Sequence, residues 1–385
     1  MTKLNIIGDI FSGTGYSSHV RQLANALYEQ GIDVTLDVPK PQGWQTAVND
    51  AEYNMLTKEI DWNETTLMIG LPPVWQFPLS EKPKNFIGFL VWEGDSIPKS
   101  WVPILAREEV KQIWVPSKHV KEAIKSTLAS ELFKGEILID NLLVVNKIRI
   151  IPHGVDKTLF YPRPQSDNRP FTFICDKGWA QGMQDRGGIQ WAVKAFIEEF
   201  TKEDNVKLKI KLNPSYGGSA LNPIEEFNRL GFKKENGPLI EINNSLIDYN
   251  ELTRSLYHEG DVFLSPNMGE AFNLGGLQAM SCGIPNIQTN FGGQTDYVNE
   301  SNGWLIDYEL VDVVEPKADV GHPYFLYQGV KWAKPNIEHL KKIMRYCYEH
   351  QDEVKAKGKK AYEDTINKTW KDTAKKAIEA LKELG

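Results

Sequence analysis

Short apolar runs alternate with stretches of helical periodicity along the chain, and the alternation occurs twice. In the first half, apolar runs predict strands over residues 4–7, 34–37, 66–69, 86–91, 113–115 and 148–151. Apolar positions recurring every three or four residues predict helices over 17–29, 101–108 and 117–130, the last capped by Ser117. The pattern then restarts, with strands over 171–174, 207–212, 239–242, 262–264, 286–289 and 304–306 and helices over 189–200, 249–259, 274–281 and 337–350. Strands alternating with helices build parallel sheets covered on both faces, so the expected class is α/β with two Rossmann-like, doubly wound domains. The proline-rich, polar stretch 150–173 reads as the linker between them. A last amphipathic pattern, KTWKDTAKKAIEALKEL, carries Lys375, Lys376, Glu379, Lys382 and Glu383 on its solvated face. The segment 311–330 is longer than an ordinary connection, and Tyr324, Phe325 and Tyr327 within it are expected to pack locally.

The length of 385 residues agrees with two domains of ordinary size. With 41% hydrophobic and 25% charged residues the composition is that of a folded globular enzyme rather than a disordered chain. A net charge of −7 argues against nucleic acid as the main partner. Cys175, Cys282 and Cys347 are far apart and make no metal-ligand spacing, which suits a reducing compartment. The opening MTKLNIIGDI reads as a first strand, too short and polar for a signal peptide, and no apolar run approaches the ~18 residues of a membrane span. The expected location is cytoplasmic. Lys118, Lys121 and Lys125 share one helix face, which leaves peripheral contact with the inner face of a membrane beside the simpler reading of a solvated face.

The stretch DVFLSPNMGEAFNLGGLQAMSCGIPNIQTNFGG carries the most chemistry. Val262, Phe263 and Leu264 form a strand that Pro266 stops, and Glu270 follows at the mouth of a loop. Asn273 is placed to cap a helix whose apolar face is Leu274, Leu277 and Met280, with Gly283 just past its end and Pro285 beyond. Such a turn aims backbone N–H groups and a helix N-terminus out of the carboxyl edge of a sheet, where a diphosphate binds, and Glu270 beside it is placed to accept sugar hydroxyls. The stretch resembles the donor-sugar motif of retaining glycosyltransferases of the GT-B fold, family 4 (glycosyl transferases group 1). The matching residues are Glu270, the loop Ala271–Phe272–Asn273–Leu274, and AMSCGIP; the departure is Gln278, which stands where the family has a second acid. The phrase Ile151, Pro152, His153, Gly154, Val155, Asp156, with Phe160 and Pro162, resembles the family's interdomain segment.

The resemblance implies an acceptor domain over 1–155, a nucleotide-sugar domain over 156–365 and a final helix over 366–385 that crosses back to the first domain. It also implies that Glu270 contacts the donor sugar and that position 278 faces the ribose, where an amide bonds hydroxyls more weakly than an acid. Lys177 and Arg186, in CDKGWAQGMQDRGG, would hold the donor phosphates, with Lys and Arg in exchanged order and the loop longer than usual. Gly13 and Gly15 are further donor-side candidates, and Leu246 would flank the base. Thr14, Tyr16, Glu93, Asp95 and His153 are candidates for the acceptor side or the cleft, as is His19, whereas His119 reads as a helix-surface residue. Asp37 ends the second strand as a dinucleotide-binding acid would, but the glycine spacing of an oxidoreductase fingerprint is missing.

No protein nucleophile is evident, and no Asp-x-Asp ends a strand, so neither a metal nor another cofactor is implied. The expected activity is retaining transfer of a hexosyl or pentosyl group from a nucleotide-diphosphate sugar to the hydroxyl of a sugar, lipid-linked or other acceptor. Two alternatives stand beside it: a nucleotide-sugar-binding protein in which Gln278 marks lost activity, and a phosphorylase- or synthase-like relative using the same cleft.

Overall fold

The computed structural model describes residues 2–38, 47–132, 139–164, 168–179, 182–213, 222–232, 236–314 and 324–385. The chain forms two compact units, Met1–Gly154 with Lys368–Gly385, and Val155–Asn367.

In the first unit β1 (Lys3–Ile7), β2 (Asp33–Asp37), β3 (Thr65–Ile69), β4 (Asn85–Phe89), β5 (Val110–Val115) and β6 (Ile148–Ile150) form one sheet in the order β2-β1-β3-β4-β5-β6. Every pairing in it is parallel. Parallel strands are covered on both faces, which explains the nearly continuous burial along β1, β3, β4 and β5, while β2 alternates between buried and half-buried positions. The chain reverses direction across β1, placing the loop Gly8–Thr14 at the point where the strand order switches. Helix Gly15–Glu29 starts there because the Thr14 hydroxyl accepts from Ser17 N, and it buries Val20, Leu23, Ala24 and Leu27 on one face. The segment predicted as a helix over 101–108 is a short 3-10 turn, Lys99–Trp101, running into Val102–Ala106. Helix Asp50–Leu56 escapes the periodicity, because a polar interaction organises it. Its Asn49–Glu52 capping box also turns Glu52 inward onto Arg21 at 2.6 Å.

The last helix, Trp370–Lys382, belongs to this unit. A Thr369–Asp372 capping box starts it, and Ala374, Ala377 and Ala380 form a narrow face that packs on helix Gly15–Glu29. Gln112 Nε2 donates to Ala380 O at 2.8 Å, and Arg149 pairs with Glu383. Thr373 Oγ1 donates to Pro152 O at 2.8 Å, so the points where the chain leaves and re-enters the unit are tied together. Gly154 is required there, since a Cβ would lie 2.3 Å from Trp370 N.

The second unit repeats the plan with a different strand order. Its strands are β7 (Phe171–Lys177), β8 (Val206–Leu212), β9 (Leu239–Asn243), β10 (Val262–Ser265), β11 (Asn286–Thr289) and β12 (Gly303–Ile306), in the order β12-β11-β10-β7-β8-β9, all parallel. An antiparallel hairpin, β13 (Tyr308–Asp312) with β14 (Lys331–Pro335), closes the two ends of the long segment that the sequence leaves as a connection. In that segment Tyr327 packs on Trp332 with ring centroids 5.0 Å apart, and 315–323 fall outside the described residues. The former linker is structural: Phe160 is buried against Tyr257, and its carbonyl accepts from Ser281 Oγ at 2.7 Å.

His153, a candidate for the cleft, is turned into the interior of the first unit instead. Its ring lies 4.1 Å from that of His19, and both pack with Phe89 and Trp370. The His19 ring nitrogens have no hydrogen-bond partner among the described residues. Burial holds both imidazoles neutral, His19 well below its ordinary range and His153 down to about 3. Unfolding releases both to take up protons below about 6.5. The unfolded chain therefore binds more protons below that pH, and stability present at neutral pH falls by up to about 1.4 kcal/mol per pH unit for each histidine. Urea unfolding at pH 7.5 and 5.0 should show this loss, and His19→Leu should remove about half of it. An unchanged pH slope in that variant would mean that other groups drive the acid loss.

Candidate active site

In the second unit the chain runs from β7 to β8 and β9 on one side, then returns to β10, β11 and β12 on the other. The loops leaving β7 and β10 therefore diverge, and a crevice opens at the carboxyl ends of these two strands. Lys177 is the last residue of β7, and Glu270 and Asn273 lie in the loop between β10 and helix Leu274–Ser281. Lys177 Nζ sits 2.8 Å from Glu270 Oε1 and 2.7 Å from Asn273 Oδ1. Arg186 reaches the same corner from the loop after β7: its backbone carbonyl accepts from Met268 N at 2.7 Å, and Nη1 donates to Gly269 O at 3.2 Å. That nitrogen is 3.8 Å from Glu270 Oε1. Both cations thus approach one oxygen of Glu270, and Oε2 has no partner among the described residues. Burial alone would raise the Glu270 carboxyl, but Lys177 and Arg186 beside it outweigh burial and hold it below the usual carboxylate range.

The loop keeps its shape through contacts only small residues permit. Gly293 N donates to Glu270 O at 2.8 Å, and a Cβ on Gly293 would fall 1.9 Å from Ala271 O. A Cβ on Gly188, which starts helix Ile189–Glu199, would fall 2.3 Å from Pro266 O. The Tyr297 hydroxyl lies 2.9 Å from Phe272 O and 2.6 Å from Asn273 O, binding the loop from below. Nothing in the sequence pattern singles out Tyr297, because its role depends on a chain crossing.

Several expected donor contacts are altered by burial. The Ala271 and Phe272 side chains point into the core, with Phe272 against Tyr297 at 5.3 Å, and Leu274 packs on the same core. The Asn273 carboxamide is engaged internally on both its oxygen and its nitrogen. Leu246 is exposed beyond the edge strand β9, and its neighbour Ile247 packs on the core. Gln278 is only 9% exposed. Its Oε1 is 3.2 Å from the Tyr257 hydroxyl, which is also 2.9 Å from Asp176 Oδ2. Asp176 immediately precedes Lys177 and pairs in register with Lys211. Burial raises its pKa, with Lys211, the Tyr257 hydroxyl and Lys177 opposing.

In the first unit, the candidates gather at the carboxyl edge of the sheet. Gly13, Thr14, Gly15 and Tyr16 follow β1, and Glu93 and Asp95 follow β4. The Tyr16 hydroxyl donates to Val91 O at 3.0 Å and so links the two loops. Glu93 is largely buried, and its carbonyl lies 3.3 Å from His119 Nε2, so His119 is part of this corner rather than a plain surface residue. Lys125 of the basic helix face is paired with Glu122. Among the described residues no group of three or more His, Cys, Asp or Glu is placed to hold a metal ion, and no helix is long and apolar enough to cross a membrane.

Residues 179–315, which include Arg186, Glu270 and Asn273 but begin after β7, match the family model for glycosyl transferases group 1. A D-inositol 3-phosphate glycosyltransferase of Paenarthrobacter aurescens (strain TC1) is 23% identical, covering 80% of this chain and 86% of its own. Among solved structures, a glycosyltransferase from Rickettsia africae ESF-5 superposes with a TM-score of 0.65 at 15% identity, over 100% of this chain and 98% of the other. Sucrose-phosphate synthase from Thermosynechococcus elongatus gives 0.66 at 16% identity, over 100% and 99%. HepE from Anabaena, in complex with UDP and glucose, gives 0.66 at 11% identity, over the whole of both chains. The fold is GT-B in class, with two Rossmann-like parallel-sheet units, and the matches support a glycosyltransferase.

The Asp176–Tyr257–Gln278 contact predicts the effect of restoring an acid at 278. In Gln278→Glu two carboxyls would share one phenol, and both folded-state pKa values would rise. Such a pair contributes fully below the unfolded pKa of about 4 and loses stability as pH rises through the folded values. Gln278→Glu should therefore be less stable than the native chain at pH 8 by on the order of 1–2 kcal/mol, one pKa unit being worth about 1.4. The deficit should shrink at pH 5, as read from urea midpoints. An equal deficit at both pH values would exclude repulsion between the two acids.

Proposed function

We propose that this protein is a retaining glycosyltransferase that takes its sugar from a nucleotide-diphosphate donor held at the β7/β10 crevice. The observation that carries the reading is the Glu270 carboxylate, clamped on one oxygen by Lys177 and Arg186 and open on the other, in front of a helix N-terminus. The open oxygen is suited to accept sugar hydroxyls. The two cations and the first N–H groups of helix Leu274–Ser281 are suited to a diphosphate, whose negative charge grows as the bond to the anomeric carbon breaks. The new bond joins that carbon to the acceptor oxygen, and the hydroxyl proton passes to the departing diphosphate. With no side chain serving as nucleophile, the acceptor hydroxyl enters on the face that the diphosphate leaves, and the product keeps the donor's configuration. The residues invoked need neither a metal nor another cofactor.

Thr14, Tyr16, Glu93 and Asp95 are the acceptor-side candidates, for a sugar, lipid-linked or other hydroxyl. UDP-sugars are the first donors to test, because HepE is seen with UDP. A binding protein without turnover is the second reading, favoured by Gln278 in place of an acid. It would show donor affinity with no release of free nucleotide.

Glu270→Gln removes a charged acceptor from the sugar while relieving the charge that competes with phosphate. Turnover should fall ten- to a hundredfold, in keeping with about 1.5–3 kcal/mol for a charged hydrogen bond, while affinity for the free nucleoside diphosphate holds or rises. Arg186→Ala should lower both. Parallel losses of turnover and diphosphate affinity in Glu270→Gln would place that residue on the phosphates instead.

Proton NMR of the first-formed product should show the donor's anomeric configuration retained. An inverted product would overturn the retaining assignment while leaving the donor site intact.

A further inference from the structure

Asn273 is one of two non-glycine residues with positive φ among the described residues, at φ 68° and ψ 75°. A glycine would take this conformation without strain, so a side chain here needs a reason. Helix capping does not supply it. Thr14, Asn49, Asn222, Asp248, Asn336 and Thr369 all cap helices through their side chains from negative φ. The capping contact of Asn273, from Gly276 N to Oδ1, is long at 3.4 Å. The short contact on that oxygen is from Lys177 Nζ, at 2.7 Å.

The carboxamide cannot turn away from this contact. Its Nδ2 donates to Gln288 Oε1 at 3.0 Å and to Ser265 Oγ at 3.3 Å, and all three side chains are buried. Strands β10 and β11 thus fix which end of the amide meets the lysine. A lysine ammonium carries three N–H donors. Glu270 takes one and Asn273 another, and the third has no acceptor among the described residues. Two fixed acceptors determine where the third N–H points. With Glu270 alone, the flexible lysine stem would be free to pivot about a single ion pair.

We infer that Asn273 is a positioning residue that acts through Lys177, aiming its remaining N–H at the terminal phosphate of a bound nucleoside diphosphate. The inference rests on the donor reading given above. Through Gln288 and Ser265 it extends the site into the sheet, to residues that no ligand would touch.

The test is a double-mutant cycle read by calorimetric titration with UDP and with UMP, using ADP or GDP and the matching monophosphate if one of those binds better. Asn273→Gly relieves the backbone and removes the amide. It should weaken UDP binding about tenfold, as expected for losing much of one charge-assisted bond, and change UMP binding less than about twofold. In a Lys177→Ala background the same change should add less than about twofold for UDP. Asn273→Asp keeps the cap and tolerates positive φ, so it carries the test if the glycine variant does not fold. Its second carboxylate on the lysine should also weaken UDP selectively. Equal losses for UDP and UMP, or additive effects with Lys177→Ala, would overturn the positioning role while leaving the donor reading in place. If the native chain binds no nucleoside diphosphate, the donor reading falls, and this inference falls with it.

Discussion

A parallel sheet that grows in both directions from a central strand leaves a gap at its carboxyl edge, and in Val155–Asn367 the central strand is β7. The loops that leave β7 and β10 must diverge, because their following helices serve opposite halves of the sheet. Lys177 ends β7, and Arg186 and Glu270 come from those two loops. The clustering of the site is thus a consequence of strand order, and the close contacts at Gly188 and Gly293 hold the loops in the register that order requires.

Electrostatics then divides the titratable groups of the crevice into two kinds. Glu270 is desolvated yet held below the usual carboxylate range, because two cations converge on one of its oxygens. Asp176, one residue from Lys177, is desolvated and raised, because its neighbours Lys211, Tyr257 and Lys177 offset burial only in part. The strand pleat separates these two environments, since adjacent residues of β7 face opposite sides of the sheet. Two positive groups facing one carboxylate leave a net positive corner, which suits an anion.

In the first unit burial dominates. His19 and His153 lie in contact with each other and with aromatic rings, and burial keeps both neutral. They sit where the chain departs at Gly154 and returns at Trp370. The same crowding that excludes a Cβ at Gly154 excludes water from the imidazoles. Polar groups in the two units therefore follow one rule: they ionise where a partner is built in, and otherwise they do not.

Local pattern reveals much of this architecture. Helix Leu274–Ser281 and strand Asn286–Thr289 have the bounds their apolar spacing and flanking Gly283 and Pro285 predict. All twelve strands of the two parallel sheets lie at segments the sequence marks as strands, most as apolar runs because strands buried on both faces have no polar period, and β2 and β8 as alternating patterns. Helix Asp50–Leu56 and the hairpin β13–β14 are not legible in this way, since a capping box and cross-strand pairing, rather than apolar periodicity, hold them. At the site, residue types mark Glu270, Lys177 and Arg186 as charged groups among glycines, and their convergence on one oxygen appears only in three dimensions. The inward turn of Ala271 and Phe272, the Tyr257–Gln278 contact and the lock on Asn273 were decided by tertiary structure alone. Sequence determines which backbone a segment favours through contacts a few residues apart, whereas the direction and partner of a polar side chain depend on chains brought together from 15 to 96 positions away.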